Sequence, residues 1–348
     1  MEKAMPVMDP SVLADFVGRI FQAAGAPEEI ARLVADSLVA SDLAGHASHG
    51  VLRVCQYLDS IAAGEMDPAA EPVIARETAT ITMVDGRRGF GQVAARFAMG
   101  VTIEKARTEG LAVTGVFNCT HVGRLGEWVE MAAEERLIGL AFCNGGRPGG
   151  HVTPYGGVAR LLGTNPIAGA VPVAGRPPLV VDFATSVVAA GKVRVARNRG
   201  QSVPEGWILG PDGRPTTSPE DYYAGGMLLP AAGHKGYGLA LLMEFLAGLL
   251  TGSGCAALPG FAPGNGVLFL VLSIEAFRPL EAFLADGAAL CERVKAVPPA
   301  PGFDEVLLPG EPEHRTAERC RIEGVPIDEV TWAQLAAAAA ELEVAVPT

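Results

Sequence analysis

Short β-forming runs alternate with helical segments between residues 79 and 144, and this alternation constrains the fold more than any other feature of the sequence. The runs at 79–85, 111–118 and 137–144 are short and apolar, as strands are. The two segments between them carry apolar residues at helical spacing. Strands that alternate with helices favour an α/β domain.

The two ends of the chain are helical instead. Residues 10–24 and 27–43 carry apolar positions at helical spacing, and no strand is visible in the first 65 residues. The last helix covers about 328–345. We predict a helical domain, residues 1–75 with this last helix, beside an α/β domain at 76–327.

The charge balance and the apolar segments exclude several classes of protein. With 27 Lys and Arg against 39 Asp and Glu, the chain has a net charge of -12 and would be repelled by nucleic acid. Its most apolar run, 237–250, is too short to cross a membrane and contains Glu244. The six cysteines form no Cys-x-x-Cys pair and the N-terminus has no signal peptide, so we expect reduced thiols in a cytoplasmic protein.

A glycine pattern at the start of the first internal helix matches part of a dinucleotide-binding fingerprint. Gly89, Gly91 and Ala94 satisfy G-x-G-x-x-A between a strand and a helix. That fingerprint also needs an acidic residue about 20 positions further on, where it binds the ribose. Here the next strand ends in Asn118 and Cys119 instead. The pattern therefore favours a tight turn that leads into a helix over a Rossmann site.

The sharpest polar cluster lies at residues 48–53. Ser48 is suited to cap the helix that follows, and His49 and Arg53, four residues apart, are expected to share one face of it. A His titrates near neutral pH and an Arg fork matches a carboxylate, so this face can combine an acid–base group with a carboxylate clamp. The alternatives are an ordinary polar helix start, or a metal pair formed by His46 and His49.

Other polar residues follow predicted strands or begin a helix. His121 follows the strand 111–118, where α/β sheets face their ligand crevice; a His that only satisfies a loop carbonyl is the alternative. His234 and Lys235 lie between glycines at the start of an apolar helix, where N–H groups and a cation can bind phosphate; an exposed turn is the alternative. Small side chains suited to ribose or amide groups are Thr164, Asn165, Asp182, Thr185 and Ser186.

Seven motifs stand in an order that resembles the malate/L-lactate dehydrogenase family, which lies outside the Rossmann superfamily. They are GHASHGVLR, DGRRGFGQVAARFAM, NCTHVGRLGEW, LLGTNPIA, VDFATS, GHKGYGLALLMEFLAGLLTG and LLPGE. Each motif alone is a modest signal, but together they cover about residues 10–330. The family also includes ureidoglycolate, sulfolactate and diketogulonate-type dehydrogenases and cyclic imine reductases.

The resemblance implies a fold, a cofactor and an assembly. The fold is mixed α/β, with a non-Rossmann nicotinamide domain on a largely antiparallel or mixed sheet and a helical domain from the N- and C-terminal segments. The cofactor is NAD or NADP, the partner is a small carboxylate substrate, and the usual assembly is a homodimer. No metal site, nucleic acid or membrane partner is expected.

The resemblance also assigns roles to residues of this chain. His121 and His49 are the acid–base candidates, with Ser48 as a hydrogen-bonding partner, and Arg53 binds the substrate carboxylate. We favour His121 as the main base, with His49 close behind. Dinucleotide contacts are expected from Thr164, Asn165, Asp182, Ala184, Thr185, Ser186, His234, Lys235, Gly236, Gly310 and Glu311.

Two residues depart from the family pattern. Many relatives have Asp immediately before the Ser-His-Gly, where this chain has Ala47, and many have an aromatic residue after the second His, where it has Val122. The first change removes a charge near His49, and the second reshapes the pocket floor. Both leave the acid–base and cofactor residues in place and put the identity of the substrate in doubt.

The predicted function is an NAD(P)-dependent dehydrogenase that moves hydride between nicotinamide and C2 of a small 2-hydroxy acid or 2-keto acid, similar to malate or lactate. A reductase of a cyclic imine carboxylate on the same scaffold is the first alternative. A metal-dependent lyase or hydrolase that uses His46, His49 and a carboxylate is the second. A silent binding protein of the same fold is the third, and the intact His49, Arg53, His121 and Lys235 argue against it.

Overall fold

The computed structural model describes residues 6–347. The α-helices of this part of the chain are α1 (Pro10–Ala23), α2 (Glu28–Leu43), α3 (Val54–Ala62), α4 (Gly91–Glu109), α5 (Leu125–Glu134), α6 (Ala190–Asn198), α7 (Pro219–Tyr223), α8 (His234–Met243), α9 (Leu280–Lys295), α10 (Glu311–Glu323) and α11 (Glu329–Glu341). The strands are β1 (Val7–Met8), β2 (Val73–Glu77), β3 (Ile81–Asp85), β4 (Leu111–Cys119), β5 (Ile138–Gly146), β6 (Ile167–Val171), β7 (Leu179–Phe183), β8 (Ile208–Leu209), β9 (Pro215–Thr216), β10 (Met227–Leu228), β11 (Gly264–Leu272) and β12 (Val325–Pro326).

Seven strands form the central sheet, in the order β2-β3-β4-β11-β5-β6-β7. The β3–β4 pair is parallel, and the other five neighbouring pairs are antiparallel. The predicted mixed α/β fold on a largely antiparallel or mixed sheet is confirmed. The predicted alternation appears as β3-α4-β4-α5-β5, but β11 comes from far later in the chain and lies between β4 and β5.

Helices α4 and α5 pack against the sheet and bury a common core. Their inward side chains include the fully buried Met99 and Trp128, which pack in one cluster with Val116 of β4 and Phe269 of β11. The segment that begins with α8 packs against β5 and β11. It continues without a break into a π-helical turn, Glu244–Leu249. A π turn inserts an extra residue and frequently marks a functional site.

The helical part of the chain has a core of its own. Buried side chains of α1, α2, α3 and α11 form one cluster, which includes Phe16, Leu38 and Leu335. Strand β1 pairs with β12, so the expectation of no strand in the first 65 residues is wrong. A strand of two residues is too short to show an alternating pattern, so it cannot be recognised from the sequence alone. The predicted division into two domains stays a prediction, and β2 crosses its 75/76 boundary.

A third cluster lies in the Gly- and Pro-rich part of the chain after β5. Its buried residues include Val152, Val193 and Ile208, and it surrounds the small sheet β10-β8-β9. This packing gives order to a region that is otherwise rich in turns. Within residues 6–347, no helix combines the length and the apolar character needed to span a membrane.

Candidate active site

A cavity of about 500 Å³ lies where these three packed regions meet. Residues 49–66, the C-terminal ends of β4 and β5, the start of β11, and helices α6 and α7 all contribute to its lining. The volume is typical of a small-molecule site. The lining contains one acidic residue, Glu65, and four arginines, so the cavity favours anionic ligands; the arginines are Arg53, Arg88, Arg147 and Arg194.

The structure brings five of the predicted site residues to this cavity. They are His49, Arg53, His121, Thr164 and Asn165. The rings of His49 and His121 are stacked, with centroids 5.6 Å apart, although they are distant in sequence. The buried Ser48 lies behind them, with its hydroxyl oxygen 3.0 Å from Nδ1 of His49. The catalytic and binding roles of these residues stay predictions.

Two 3₁₀ turns, and not an α-helix, carry the Ser-His-Gly segment. The turns are Ala47–His49 and Val51–Arg53, and α3 begins only after them. The expectation that Ser48 caps a helix and that His49 and Arg53 share its face is therefore wrong. Both side chains nevertheless line the same cavity.

The bend between the two turns has a local physical cause. The Asp42 carboxylate accepts a hydrogen bond from the backbone N–H of Val51 at 2.8 Å. Gly50 packs directly against that carboxyl group, and a Cβ atom at position 50 would overlap it. The φ angle of Gly50 is -87°, which any residue can adopt, so the position requires space and not an unusual backbone conformation.

Gly89 and Gly91 allow close backbone packing beside His121. A Cβ atom at Gly91 would overlap the backbone oxygen of His121, and one at Gly89 would lie 2.6 Å from the backbone oxygen of Ala70. Gly91 therefore lets the first turn of α4 pack directly on the strand end that carries His121, and Gly89 lets the preceding turn pack on Ala70. Thr120 strengthens this junction, because its hydroxyl donates to the Gly89 oxygen at 2.7 Å.

Two further buried side chains hold the His121 ring. The hydroxyl of Tyr57 lies 2.7 Å from Nδ1 of His121, and the Gln92 amide donates from Nε2 to that hydroxyl at 2.8 Å. Both side chains are almost completely buried. This relay leaves Nε2 of His121 as the ring nitrogen available to a ligand.

Burial sets the protonation state of both cavity histidines. Burial first, and then the nearby Arg53 charge, lowers the pKa of His49 to about 3. The same two causes, with His49 as a third, hold the pKa of His121 well below its ordinary value of 6.5. Both rings are therefore neutral at pH 7, and a neutral imidazole can accept a proton.

Arg53 uses part of its fork to stay in place. Its Nε donates to the Ser48 backbone oxygen at 2.7 Å, and its Nη1 donates to Gln56 at 2.6 Å. Its Nη2 makes no hydrogen bond to any residue within 6–347, so an end-on approach to Nη1 and Nη2 remains open. That geometry suits a carboxylate.

Several cavity residues were not predicted from the sequence. His151 lies 2.7 Å, through Nδ1, from the Tyr222 hydroxyl, and burial lowers its pKa to about 4. It belongs to the Gly- and Pro-rich segment after β5. The only sequence signal for a functional role was that this segment is long and has no helical or strand periodicity. The cavity also gains Arg147, Arg194 and Tyr223 from segments that carry no recognisable motif.

Two of the predicted cofactor segments meet beside Thr164. The backbone N–H and the hydroxyl of Thr185 both donate to the Thr164 oxygen, at 2.9 and 3.1 Å. The Ala231 N–H donates to the Thr185 oxygen, which joins this strand end to the start of α8. There Gly236 is buried while Lys235 is exposed to solvent. His234 is exposed as well, Ala184 is partly buried, and the Ser186 hydroxyl donates to the Val188 oxygen.

The remaining predicted cofactor residues lie along or beyond β7. The Asp182 carboxylate accepts from the backbone N–H of Gly126 at 2.7 Å, in the first turn of α5. Gly310 and Glu311 line a second cavity of about 200 Å³. The Glu311 carboxylate already binds Lys295 at 2.9 Å and the Leu308 N–H at 3.0 Å, so it has structural partners of its own.

The structure does not support the alternative in which His46 and His49 bind a metal ion together. His46 does not line the large cavity, and its Nε2 lies 3.5 Å from a Glu313 carboxylate oxygen. Within the described part of the chain, no group of three or more His, Cys, Asp or Glu side chains is arranged to hold a metal ion.

Comparison with known proteins identifies the family. The profile of the family described as malate/L-lactate dehydrogenase matches residues 8–336. The chain is a member of the malate/L-lactate dehydrogenase family. It is 40% identical over 326 residues to a malate dehydrogenase of Pyrococcus abyssi, with 90% of this chain and 89% of that protein covered. The predicted family and the predicted enzyme class, an oxidoreductase of the dehydrogenase type, are confirmed.

Two further relatives extend the comparison. The chain is 36% identical over 324 residues to a Δ1-pyrroline-2-carboxylate/Δ1-piperideine-2-carboxylate reductase of Pseudomonas putida, covering 91% of this chain and 92% of that protein. The crystal structure of malate dehydrogenase from Entamoeba histolytica superposes with a TM-score of 0.93 at 29% identity, over 99% of this chain and 100% of that one. Membership of this family implies a nicotinamide cofactor.

Proposed function

We propose that the protein is an NAD(P)-dependent dehydrogenase that interconverts a small 2-hydroxy acid and its 2-keto acid. The observation that carries this proposal is the pair of neutral, stacked histidines beside the open end of the Arg53 fork. A carboxylate bound at Arg53 would place its neighbouring C2 oxygen near these rings. The cavity thus offers the substrate an anchor and a proton carrier in one place.

The reaction divides between the cofactor and this chain. A bound nicotinamide dinucleotide would supply the hydride chemistry at C2. In oxidation, Nε2 of His121 takes the proton of the C2 hydroxyl, and in reduction it returns a proton to the C2 oxygen. Arg53 holds the substrate carboxylate, and positioning of this kind can be worth roughly 7–11 kcal/mol. His49 stacks on His121 and limits how its ring can turn.

The residues also fit a dinucleotide that follows the edge of the sheet. β7 is the last strand of the sheet and leads from the second cavity, lined by Leu179, towards Thr185 beside the large cavity. Six residue steps at ~3.3 Å span about 20 Å, comparable to an extended dinucleotide. At the far end, Nη1 of Arg176 is buried and has no partner within residues 6–347, and it is a donor suited to a phosphate or ribose oxygen.

The charge of the cavity favours a substrate with a second anionic group. Its four guanidinium groups exceed what one carboxylate at Arg53 requires, and Arg194 faces Arg53 closely enough to lower the pKa of that residue, after the larger effect of burial. We therefore propose a dicarboxylic acid, similar to malate, over lactate. The similarity to a cyclic imine carboxylate reductase keeps that activity as the second candidate.

A coupled assay tests these candidates together. Purified protein is mixed with NADH or NADPH and with oxaloacetate, pyruvate or Δ1-piperideine-2-carboxylate, and the loss of nicotinamide absorbance is followed. We expect turnover with the keto acids and a higher kcat/KM for oxaloacetate than for pyruvate. Turnover with the imine alone would replace the dehydrogenase by the reductase, and no turnover with any substrate would reject both.

We expect Arg53→Lys to weaken the substrate far more than the cofactor. An ammonium group cannot reproduce the two-pronged contact of a guanidinium with a carboxylate. Loss of a charge-assisted hydrogen bond costs roughly 1.5–3 kcal/mol, so the KM of the keto acid should rise by about one to two decades. Arg32→Lys, at a side chain that is 83% exposed, serves as the control. If only the cofactor Kd moves, Arg53 belongs to the dinucleotide site.

We expect Lys235→Ala to weaken NADH and NADPH by about one to two decades, again the worth of one charge-assisted hydrogen bond. The exposed ammonium at the start of α8 lies beside the Thr185 strand end, where an anionic or ribosyl group of the cofactor would pass. Nicotinamide fluorescence titration measures the Kd, with Arg214→Ala as an exposed cation control. Equal losses place Lys235 at a group that both cofactors share, and a loss confined to NADPH places it at the 2′-phosphate. Unchanged Kd values for both would remove it from the site.

We further propose that the protein is a cytoplasmic homodimer. Its six cysteines are unpaired and five of them are buried, as expected in a reducing compartment. Large apolar side chains at positions three and four residues apart are exposed after the start of α8: Leu242 by 47%, Phe245 by 61% and Leu249 by 44%. An apolar stripe of this kind on a single chain marks an interaction surface, and a second copy is the partner that the family implies.

We expect Phe245→Asp to convert the dimer into monomers of 36.0 kDa. A carboxylate at the centre of the stripe would have to be buried without a partner in the interface. Light scattering coupled to gel filtration measures the mass. Phe277→Asp is the matched control. Phe277 is also an exposed aromatic residue, at 71%, but it follows the C-terminal end of β11 and is not part of the stripe. A wild-type chain that elutes as a monomer, or a Phe245 variant that stays dimeric, would contradict this interface.

A further inference from the structure

Gln92, Tyr57 and His121 form a buried hydrogen-bond relay in which each shared position can hold only one proton. Tyr57 has one hydroxyl proton, and its oxygen lies between Gln92 Nε2 at 2.8 Å and His121 Nδ1 at 2.7 Å. Tyr57 is 1% exposed and Gln92 is 0% exposed, so both side chains are buried. When Gln92 donates to the Tyr57 oxygen, Nδ1 of His121 is the acceptor left within hydrogen-bond distance of the Tyr57 proton among the described residues.

This arrangement favours one tautomer of His121, the form that leaves no polar proton of the relay without an acceptor. A neutral imidazole that accepts at Nδ1 carries its proton on Nε2, which is the nitrogen that faces the cavity. In that form Nε2 can donate a hydrogen bond to a substrate oxygen but cannot take a proton from it. To act as a base, His121 must carry its proton on Nδ1 and donate it to the Tyr57 oxygen. Tyr57 must then donate to Gln92.

Gln92 can serve both states because a carboxamide has a donor end and an acceptor end. In the structure its Oε1 is buried and has no hydrogen-bond partner within residues 6–347. Exchange of the two ends brings Oε1 to the Tyr57 hydroxyl and keeps one hydrogen bond, so the number of bonds is unchanged. A side chain with only one of the two functions would hold the relay in a single polarity.

The surroundings of the relay contain no competing partner within the described residues. Arg53 and His49 line the cavity with His121, and the His49 ring stacks on the His121 ring. Glu127 and Cys119 lie near Tyr57, but the Glu127 carboxylate already accepts from the Ser37 hydroxyl at 2.7 Å. Gln92 is fixed at the start of α4, where Gly91 packs on the His121 backbone. The polarity of the relay therefore depends on the Gln92 amide.

We propose that Gln92 is a positioning residue that sets, through Tyr57, which ring nitrogen of His121 carries the proton. It exchanges its amide ends as His121 changes between hydrogen-bond donor and proton acceptor. This inference rests on the proposed function for its role in turnover. The tautomer itself is a property of the free protein and is measured without substrate or cofactor.

Nitrogen-15 NMR of the histidine rings tests the proposal. The His121 signals are assigned from their loss in His121→Ala, and the His49 signals serve as the internal reference. We expect the wild type to carry its proton on Nε2. Gln92→Leu should stay in that form at every pH. Gln92→Glu should change to the Nδ1 form as the pH rises and the new carboxylate, a pure acceptor, draws the Tyr57 proton towards itself.

Kinetics supply the second readout. Gln92→Leu should lower kcat/KM by about 10²-fold in both directions, at the low end of the 10²–10⁴ that acid–base catalysis supplies. Gln92→Glu should retain more activity than Gln92→Leu, and the acid limb of its pH profile should lie at higher pH, because a nearby negative charge raises the pKa of His121. In a Tyr57→Phe background, Gln92→Glu should no longer change the His121 tautomer.

Thr102→Val is the matched control. Thr102 lies on the same helix and makes a buried hydrogen bond to Thr114 at 2.7 Å, remote from the cavity lining. Its loss should leave the His121 signals unchanged. A Gln92→Glu protein whose His121 tautomer matches the wild type across the whole pH range would overturn the proposal, even if its activity falls. A wild type that turns over no hydroxy acid, but whose tautomer follows position 92, would reject only the proposed function.

Discussion

Replacing His121 by Ala should lower kcat by about 10²–10⁴, the usual contribution of a general acid–base group. The reason is geometric, because His121 joins a neutral, ligand-facing Nε2 to a buried support at Nδ1. The fold should survive the change, since the Tyr57 hydroxyl keeps its hydrogen bond from Gln92. Steady-state kinetics give kcat, and fluorescence titration should show NADH binding nearly intact.

Two comparisons make the His121 result specific. His46→Ala removes a histidine only three positions from His49 that does not line the cavity, and it should leave kcat unchanged. His49→Ala should also lower turnover, and the two pH profiles show which ring owns the acid limb. Added imidazole should restore part of the activity of His121→Ala if the missing group is a proton carrier. Unchanged turnover in His121→Ala would remove His121 from the reaction.

The sequence predicts the local elements of the sheet domain well, because each carries its own period. The helix around Met99 and the strands on either side of it begin and end within about two residues of their expected positions, a normal tolerance for such boundaries. The insertion of β11 between β4 and β5 has no such signal. Strand pairing depends on side chains that meet only in the folded chain, so the order of the sheet cannot be read from any one segment.

Some residues of the candidate site can be recognised from the sequence, and others only from the folded structure. His49, Arg53 and His121 stand out from the sequence because their types are suited to acid–base and carboxylate chemistry. Gln92 does not stand out, since a Gln at the start of a helix is usually exposed, whereas here the side chain is completely buried against Tyr57 and Gly123. His151 is missed for a related reason, because its segment gains order only from the third core cluster. Burial by distant segments is the information that the sequence lacks.

Gly50→Ala should lower kcat/KM by about 10²-fold, because a displacement of ~1 Å in positioning groups can cost that much. The added methyl group has no space beside the Asp42 carboxyl, so the two turns that carry His49 and Arg53 must shift. Overpacking of this kind should also cost roughly 1–3 kcal/mol of stability, measured by denaturant unfolding. Gly100→Ala is the control, because a Cβ atom there meets open space on the surface of α4.

A double-mutant cycle distinguishes two effects of Gly50→Ala: overlap of the new methyl group with Asp42, and reduced backbone freedom at position 50. Asp42→Ala removes the carboxyl group that the new methyl would overlap, at the cost of the acceptor for the Val51 N–H. Burial raises the pKa of that carboxyl to about 7, so its desolvation offsets part of what its hydrogen bond contributes. The double variant should therefore lose less activity than the product of the two single losses, with a coupling of roughly 0.5–3 kcal/mol. Strictly additive losses would show that Gly50 acts through backbone freedom and not through its contact with Asp42.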